Sequence, residues 1–184
     1  MHKDVARILI SEQELQKRIR ELAEQISSDY EGKKPPIVVG ILKGSCFFLT
    51  ELAKNMNLDV ELEFMRVRSY AGENSTGNIQ ILLDLDRDVS NENILIVEDI
   101  VDTGITLKKV KELLGNRGAN DIRIAALLNK KERREVEIDA DYYGFEIPNE
   151  FVVGFGLDYN QKYRNLPYIG VLKEDVYTKQ VSKE

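Results

Sequence analysis

The sequence has one cysteine, Cys46, one histidine, His2, and no tryptophan among its 184 residues. A lone cysteine excludes an internal disulfide framework. Together with a lone histidine it also excludes Cys/His zinc sites and any nucleophile driven by a histidine base. Proline is sparse, four in all, with Pro35 and Pro36 adjacent, and there is no internal repeat or Pro/Ser-rich linker. No apolar run approaches the ~18 residues of a membrane helix. The N-terminus turns polar within a few residues, unlike a signal peptide, so a cytoplasmic protein without membrane contact is expected. Basic charge is also in short supply, 26 Lys and Arg against 32 Asp and Glu, and the net charge of −6 argues against extended nucleic-acid contact. Whatever chemistry the chain performs must come from carboxylates, lysines, arginines, hydroxyls and backbone.

At 42% hydrophobic, the sequence is read as one domain, residues 1–184, able to bury roughly 70% of its unfolded surface. Its organising stretch is Ile94 to Leu107, ILIVEDIVDTGITL. Ile94 to Val97 have the β-branched bias of a buried strand and run into two adjacent acids, Glu98 and Asp99. No dry core accepts those acids unpaired, so they are expected at the strand's open end. Asp102, Thr103, Gly104 and Thr106 follow, and then Leu107, Val110, Leu113 and Leu114 at the spacing of an amphipathic helix. A helix N-terminus offers unpaired N–H groups and partial positive charge; with Gly104 and two threonine hydroxyls beside it, the turn reads as a phosphate cradle. Glu98 and Asp99 are acceptors suited to a ribose diol or a hard divalent cation. The competing reading is an N-capped helix with Thr103 as the cap and the acids solvated.

Around this centre, Ser11 with Glu14 has capping-box spacing, and Leu15, Ile19, Leu22, Ala23 and Ile26 mark the apolar face of a packing helix. Ile37 to Leu42 reads as a buried strand broken at Gly40, followed by a Lys43-Gly44-Ser45 turn and an apolar helix through Leu52. That turn is a second candidate for anion binding. Asp59 to Arg68 reads as a half-buried strand with Val60, Leu62 and Phe64 inward, joined through the polar loop from Ser69 and Tyr70 to a hairpin partner, Ile79 to Leu83. Asp121 to Leu128 is a further strand ending in Asn129 and Lys130; the charged run Lys130 to Glu137 reads as a solvated loop. Tyr142 to Glu146 and Phe151 to Gly154 read as short strands, with Phe151 a core residue and Asp158 a turn acid.

VEDIVDTGITL resembles the phosphoribosyl-pyrophosphate motif of the type I phosphoribosyltransferases, and its Glu-Asp pair with DTG-x-T is similar to members acting on 6-oxopurines. ILKGS, RSYAGENSTG, LLNK, GFEIPNEFVVGFGLDYN and YRNLP extend the resemblance from about Ile37 to Tyr168. It implies an α/β fold, a mostly parallel twisted sheet with helices on both faces. A small hood would come from the N-terminal segment and the stretch after Ile138. It also implies transfer of a 5-phosphoribosyl group from its 1-pyrophosphate to N9 of hypoxanthine or guanine.

The resemblance assigns the ribose and 5-phosphate to Glu98, Asp99, Asp102, Thr103, Gly104, Ile105 and Thr106, with Ile105 at a position that tolerates variation. Pyrophosphate falls to Lys43, Gly44 and Arg164, and the purine to Lys130, Phe151, Val152 and Asp158. Ser69 and Tyr70 would belong to a mobile loop closing over the reacting centre, which excludes water. Asp102 would be the general acid/base at purine N7, and Mg2+ would be held by Asp158, Glu98 and Asp99. Small-molecule substrates and a homo-oligomer, dimer or tetramer, are implied. Other readings stay open: a phosphoacceptor receiver domain, a non-catalytic RNA-binding regulator of the same fold, and a pyrimidine or adenine phosphoribosyltransferase.

Overall fold

The computed structural model describes residues 1–69 and 79–178; Tyr70 and the rest of the loop to residue 78 lie outside them. The described residues form two sheets. The larger, six-stranded, uses β2 (Ile37–Ile41), β3 (Glu61–Ser69), β4 (Ile79–Leu83), β5 (Asn93–Val101), β6 (Asp121–Asn129) and β7 (Tyr142–Glu146) in the order β4-β3-β2-β5-β6-β7. All neighbours are parallel except β3 and β4, which form an antiparallel hairpin. The smaller sheet is antiparallel, β1 (Val5–Ile10), β9 (Ile169–Leu172) and β8 (Val152–Val153). Tyr142–Glu146, expected beyond the point where the hood begins, is instead the edge strand of the larger sheet. Its register, Ala125↔Tyr142 to Asn129↔Glu146, continues the parallel ladder.

The period-two alternation of apolar residues decides the layers. Val38, Leu95, Val97, Ala125 and Leu127 face α1 (Glu12–Asp29) and α2 (Cys46–Asn55). Ile37, Val39, Ile94, Ile96, Ile124 and Ala126 face α3 (Ile105–Asn116) through Leu107, Val110 and Leu114. Helices therefore cover both faces. The capping box forms at α1: Ser11 accepts from the Glu14 amide, and Glu14 accepts from the Ser11 amide at 2.8 Å.

Two local expectations fail. Gly40 does not break β2; it pairs with Phe64 and Val97, and a Cβ there would lie 2.5 Å from Leu49 Cδ1, so its bareness lets α2 sit close. Around β3, Val60 and Phe64 pack on the α1 and α2 side as expected, but Leu62 is exposed, and Met65, with Val67 alongside, is buried on the opposite, α3 face, since helices cover both sides of the sheet.

Candidate active site

β5 outruns its neighbour on one side. β2 stops pairing at Val97, whereas β6 stays in register to Val101↔Asn129, so Glu98 and Asp99 lie within the strand, beyond the end of β2 but inside the span still paired with β6, Glu98 opposite Ala126. The acids thus sit near the strand's C-terminal end, as expected, but inside β5 and not after it. Glu98 Oε2 is buried and has no hydrogen-bond partner; burial, with the Asp99 charge beside it, pushes Glu98 well above the usual carboxylate range. Burial raises Asp99 to about 6, against backbone donors and the Arg164 charge, which pull it down.

Asp99 is packed directly against the turn after β2. A Cβ on Gly44 would fall 1.6 Å from Asp99 Oδ2, and a Cβ on Gly156 would fall 2.0 Å from the Gly44 carbonyl oxygen. Only two bare backbones allow three segments to meet here. From the segment after β8, Arg164 donates to the Gly156 carbonyl at 2.6 Å and pairs with Asp158 at 2.8 Å; Lys43 reaches Gln161 Oε1 at 3.1 Å, and Gln161 N–H donates to Asp158 at 2.8 Å. Lys43, Gly44 and Arg164 thus come together, with Gln161 as their link. Phe155, Asn160, Gln161 and Tyr163 all adopt left-handed φ in this segment, a concentration of backbone strain of the kind held at functional sites.

Glu98, Asp99 and Asp158 do not converge as a metal cage. Among the described residues no three His, Cys, Asp or Glu side chains form a group able to hold an ion. Adjacent residues of a strand point to opposite faces, which separates Glu98 from Asp99, and Asp158 is spent on Arg164.

Gly104, at φ +83, begins α3, and Ile105 N–H lies 3.4 Å from Thr103 Oγ1. The glycine serves more than a close-approaching anion. A Cβ there would meet Ile138, Arg134 and Val136 at 2.5 to 3.2 Å, since residues 134–138 wrap over the turn. Glu135 N–H donates to the Thr103 carbonyl, Arg134 donates to the Asp102 carbonyl at 2.6 Å and to Asn129 Oδ1 at 2.5 Å, and Arg133 Nε stands 3.2 Å from Asp102 Oδ1. That last contact is an ion pair without hydrogen-bond alignment, so the buried Oδ1 keeps no donor of its own. The charged run is therefore not simply solvated: Arg134 is only 13% exposed.

At the end of β6, Lys130 is buried, with its ammonium donating to the Glu150 carbonyl at 2.7 Å. Burial lowers its pKa while the nearby Asp102 charge opposes this. Val152 is buried in β8, but Phe151, expected in the core, precedes the strand and is 40% exposed. Ser69 ends β3 opposite Ile79. A cavity of about 500 Å³ lined by Ser27, Tyr30, Asn55 and Asn57 lies at the opposite end of the sheet, where β2 and β3 begin, and none of these chemistry-bearing groups lines it.

The family model described as the phosphoribosyl transferase domain matches residues 7–160. The chain belongs to this phosphoribosyltransferase family. A hypoxanthine-guanine phosphoribosyltransferase of Lactococcus lactis is 54% identical over 180 residues, 97% of both chains. The crystal structure of a hypoxanthine phosphoribosyltransferase from Staphylococcus aureus, 48% identical, superposes with a TM-score of 0.93 over 97% of each chain. A Trypanosoma cruzi hypoxanthine phosphoribosyl transferase, 38% identical, gives 0.94 over 98% of each. The α/β fold with a mostly parallel sheet is that of this family.

Sequence reasoning missed two groups in this candidate site, Arg134 and Gln161. Arg134 had a faint signal, a basic pair following a strand end. Gln161 had none, because its role depends on a left-handed backbone that places its amide between Lys43 and Arg164.

Proposed function

We infer that the chain transfers the 5-phosphoribosyl group of 5-phosphoribosyl 1-pyrophosphate to N9 of hypoxanthine or guanine, forming IMP or GMP and releasing pyrophosphate. The observation that carries this reading is the position of Asp102. It lies between the first turn of α3, which suits the 5-phosphate, and the end of β6, where the Lys130 backbone N–H donates to the carbonyl of Val101, the residue before Asp102, at 3.0 Å. As N9 bonds to the anomeric carbon and the bond to pyrophosphate breaks, the base becomes cationic and its N7 proton passes to Asp102. Thr103, Gly104, Ile105 and Thr106 hold the phosphate through N–H groups and hydroxyls, and the Glu98–Asp99 pair, one acid on each side of the strand end, serves the ribose diol and the metal. Lys43, Gly44 and Arg164 receive the leaving group, with the planar guanidinium gripping two oxygens once it is released from Asp158. Lys130 donates to the 6-oxo group and Val152 offers its backbone to the base edge, while Phe151 supplies a stacking face. Ser69 and Tyr70 are the residues we assign to covering the reacting centre.

The acids fit Mg2+: the donors are all oxygen, and the partnerless buried Glu98 Oε2 and the raised Asp99 are groups a cation would favour. Bound with the substrate's phosphates and one or two of Asp99, Glu98 and Asp158, it would neutralise charge developing on pyrophosphate. We place the enzyme in the cytoplasm, as a single domain whose smaller sheet forms the hood, and as a dimer or tetramer; among the described residues no helix is long and apolar enough to cross a membrane. The test is a spectrophotometric assay of each purine with the ribosyl donor and Mg2+. Hypoxanthine and guanine should turn over. Adenine, which presents an amino donor to Lys130, should fall by roughly 10⁴ in kcat/KM. Equal rates with adenine, or no nucleotide from either 6-oxopurine, refute the reading.

A further inference from the structure

Phe151 remains 40% exposed although two other rings lie against it. Tyr177 stacks on it, with centroids 5.2 Å apart and planes 22° from parallel, and Tyr159 meets it edge-on at 5.6 Å and 88°. Tyr177 belongs to α4 (Glu174–Thr178), which follows β9 and is tied back to the chain's start by the Lys173 N–H donating to the Asp4 carbonyl at 3.0 Å. Val176 and Tyr177 pack on the core of the small sheet, made by Val5, Val153, Tyr168 and Leu172. Phe151 and Tyr177 also share a cavity of about 310 Å³ with Arg7 and Val171, a cavity that neither Lys130 nor Val152 lines. One face of the Phe151 ring is thus taken by Tyr177, Tyr159 stands perpendicular beside it, and the residue still keeps 40% of its surface exposed.

We propose that Tyr177 is a positioning residue for the nucleobase: stacked behind Phe151, it fixes that ring so that its open face meets the purine. The inference rests on the reading of Phe151 as the residue that stacks on the base. A half-exposed phenylalanine outside a strand would otherwise sample several rotamers, and each purine would have to order it on binding; a ring already held by two neighbours removes that cost. Tyr177 itself lies on the small-sheet core with Val5, Val153 and Leu172, not at the Gly44 or Gly104 turns, so its replacement should leave the ribosyl donor's KM unchanged.

The test compares Tyr177→Ala, Tyr177→Leu, Tyr177→Phe and Phe151→Ala in the full chain, measuring KM for hypoxanthine, KM for the ribosyl donor and Tm. Tyr177→Ala and Tyr177→Leu should raise the hypoxanthine KM about 2- to 10-fold, the range an aromatic pair carries, with the donor KM unchanged. Tyr177→Phe should behave as wild type. The leucine variant keeps apolar bulk on the small-sheet core, so it reports on stacking even if the alanine variant unfolds. In the Phe151→Ala background, Tyr177→Leu should add nothing. If Phe151→Ala raises the purine KM while both Tyr177→Leu and Tyr177→Ala leave it unchanged, or move both KM values equally, the inference falls and the base site stands. If Phe151→Ala itself leaves the purine KM unchanged, the base-site reading falls and takes the inference with it.

Discussion

Replacing Gly44 by alanine tests whether the turn after β2 and the acidic strand form one rigid assembly. The new Cβ would sit 1.6 Å from Asp99 Oδ2 and 2.5 Å from its Cγ, whereas non-bonded heavy atoms settle at about 3.5 Å. Either the turn or the carboxylate must move by roughly 2 Å. The turn has little room, because its carbonyl already rests against the Gly156 backbone, 2.0 Å from where a Cβ would stand. Overpacking of this kind costs about 1–3 kcal/mol, which in a chain of this size lowers Tm by roughly 2–12 °C. The effect on rate should be larger: a displacement of about 1 Å near the reacting centre can cost 10²-fold, and here the moving groups are those assigned to pyrophosphate and ribose. Differential scanning calorimetry and the nucleotide-forming assay read the two effects. Gly115→Ala is the control, since a Cβ in that helix position meets only Ile122 Cδ1 at 3.8 Å, and it should hold or raise Tm with full activity. In an Asp99→Ala background the Tm penalty of Gly44→Ala should shrink. Wild-type Tm and rate in Gly44→Ala would refute the packing argument, and an undiminished penalty in the Asp99→Ala background would show that the Asp99 carboxylate is not what the methyl group strikes.

Asp102→Asn should lower kcat by about 10²–10⁴ with little change in donor KM or Tm, because the phosphate-binding turn is kept while the proton acceptor is lost; an unchanged kcat places proton transfer elsewhere. Arg134→Lys should lower both Tm and kcat, by roughly 2–10 °C for Tm, because an ammonium cannot span the Asp102 carbonyl and Asn129 Oδ1 together; a variant indistinguishable from wild type would mean the loop is held by other contacts. Asp84 accepts two hydrogen bonds from Arg117, at 2.6 and 2.7 Å, which hold its carboxyl below its ordinary 3.8. The folded state then binds fewer protons than the unfolded one, so this stabilisation is present above 3.8 and is lost as pH falls through the folded value. Urea melts of Asp84→Asn should show a deficit below about 1 kcal/mol at pH 7, as suits a partly exposed pair, closing as pH falls below 3.8 through the folded value; a gap independent of pH contradicts the assignment. Exhaustive chelation should abolish turnover and Mg2+ or Mn2+ should restore it, whereas full activity in chelator would rule out a metal-dependent reaction.

The sequence by itself determined the elements and their faces, because those depend on spacing. Apolar residues on both sides of β2, β5 and β6 required a sheet buried on two faces; Ser11 and Glu14 specified the start of α1; and the acids followed by DTG-x-T marked a polar turn between a strand and a helix. Tertiary structure decided which distant residues complete that turn. Arg134 reaches Asp102 across 32 residues, and the Gly44 turn touches Asp99 and Gly156 from two other segments. Period and capping rules concern neighbours along the chain, whereas these contacts follow from sheet order, which places the ends of β2, β5 and β6 side by side. Phe151 shows the difference most plainly. Its sequence context reads as a core strand, and it is exposed because β8 starts one residue later, leaving the ring between a helix and a loop that no local pattern could have brought together.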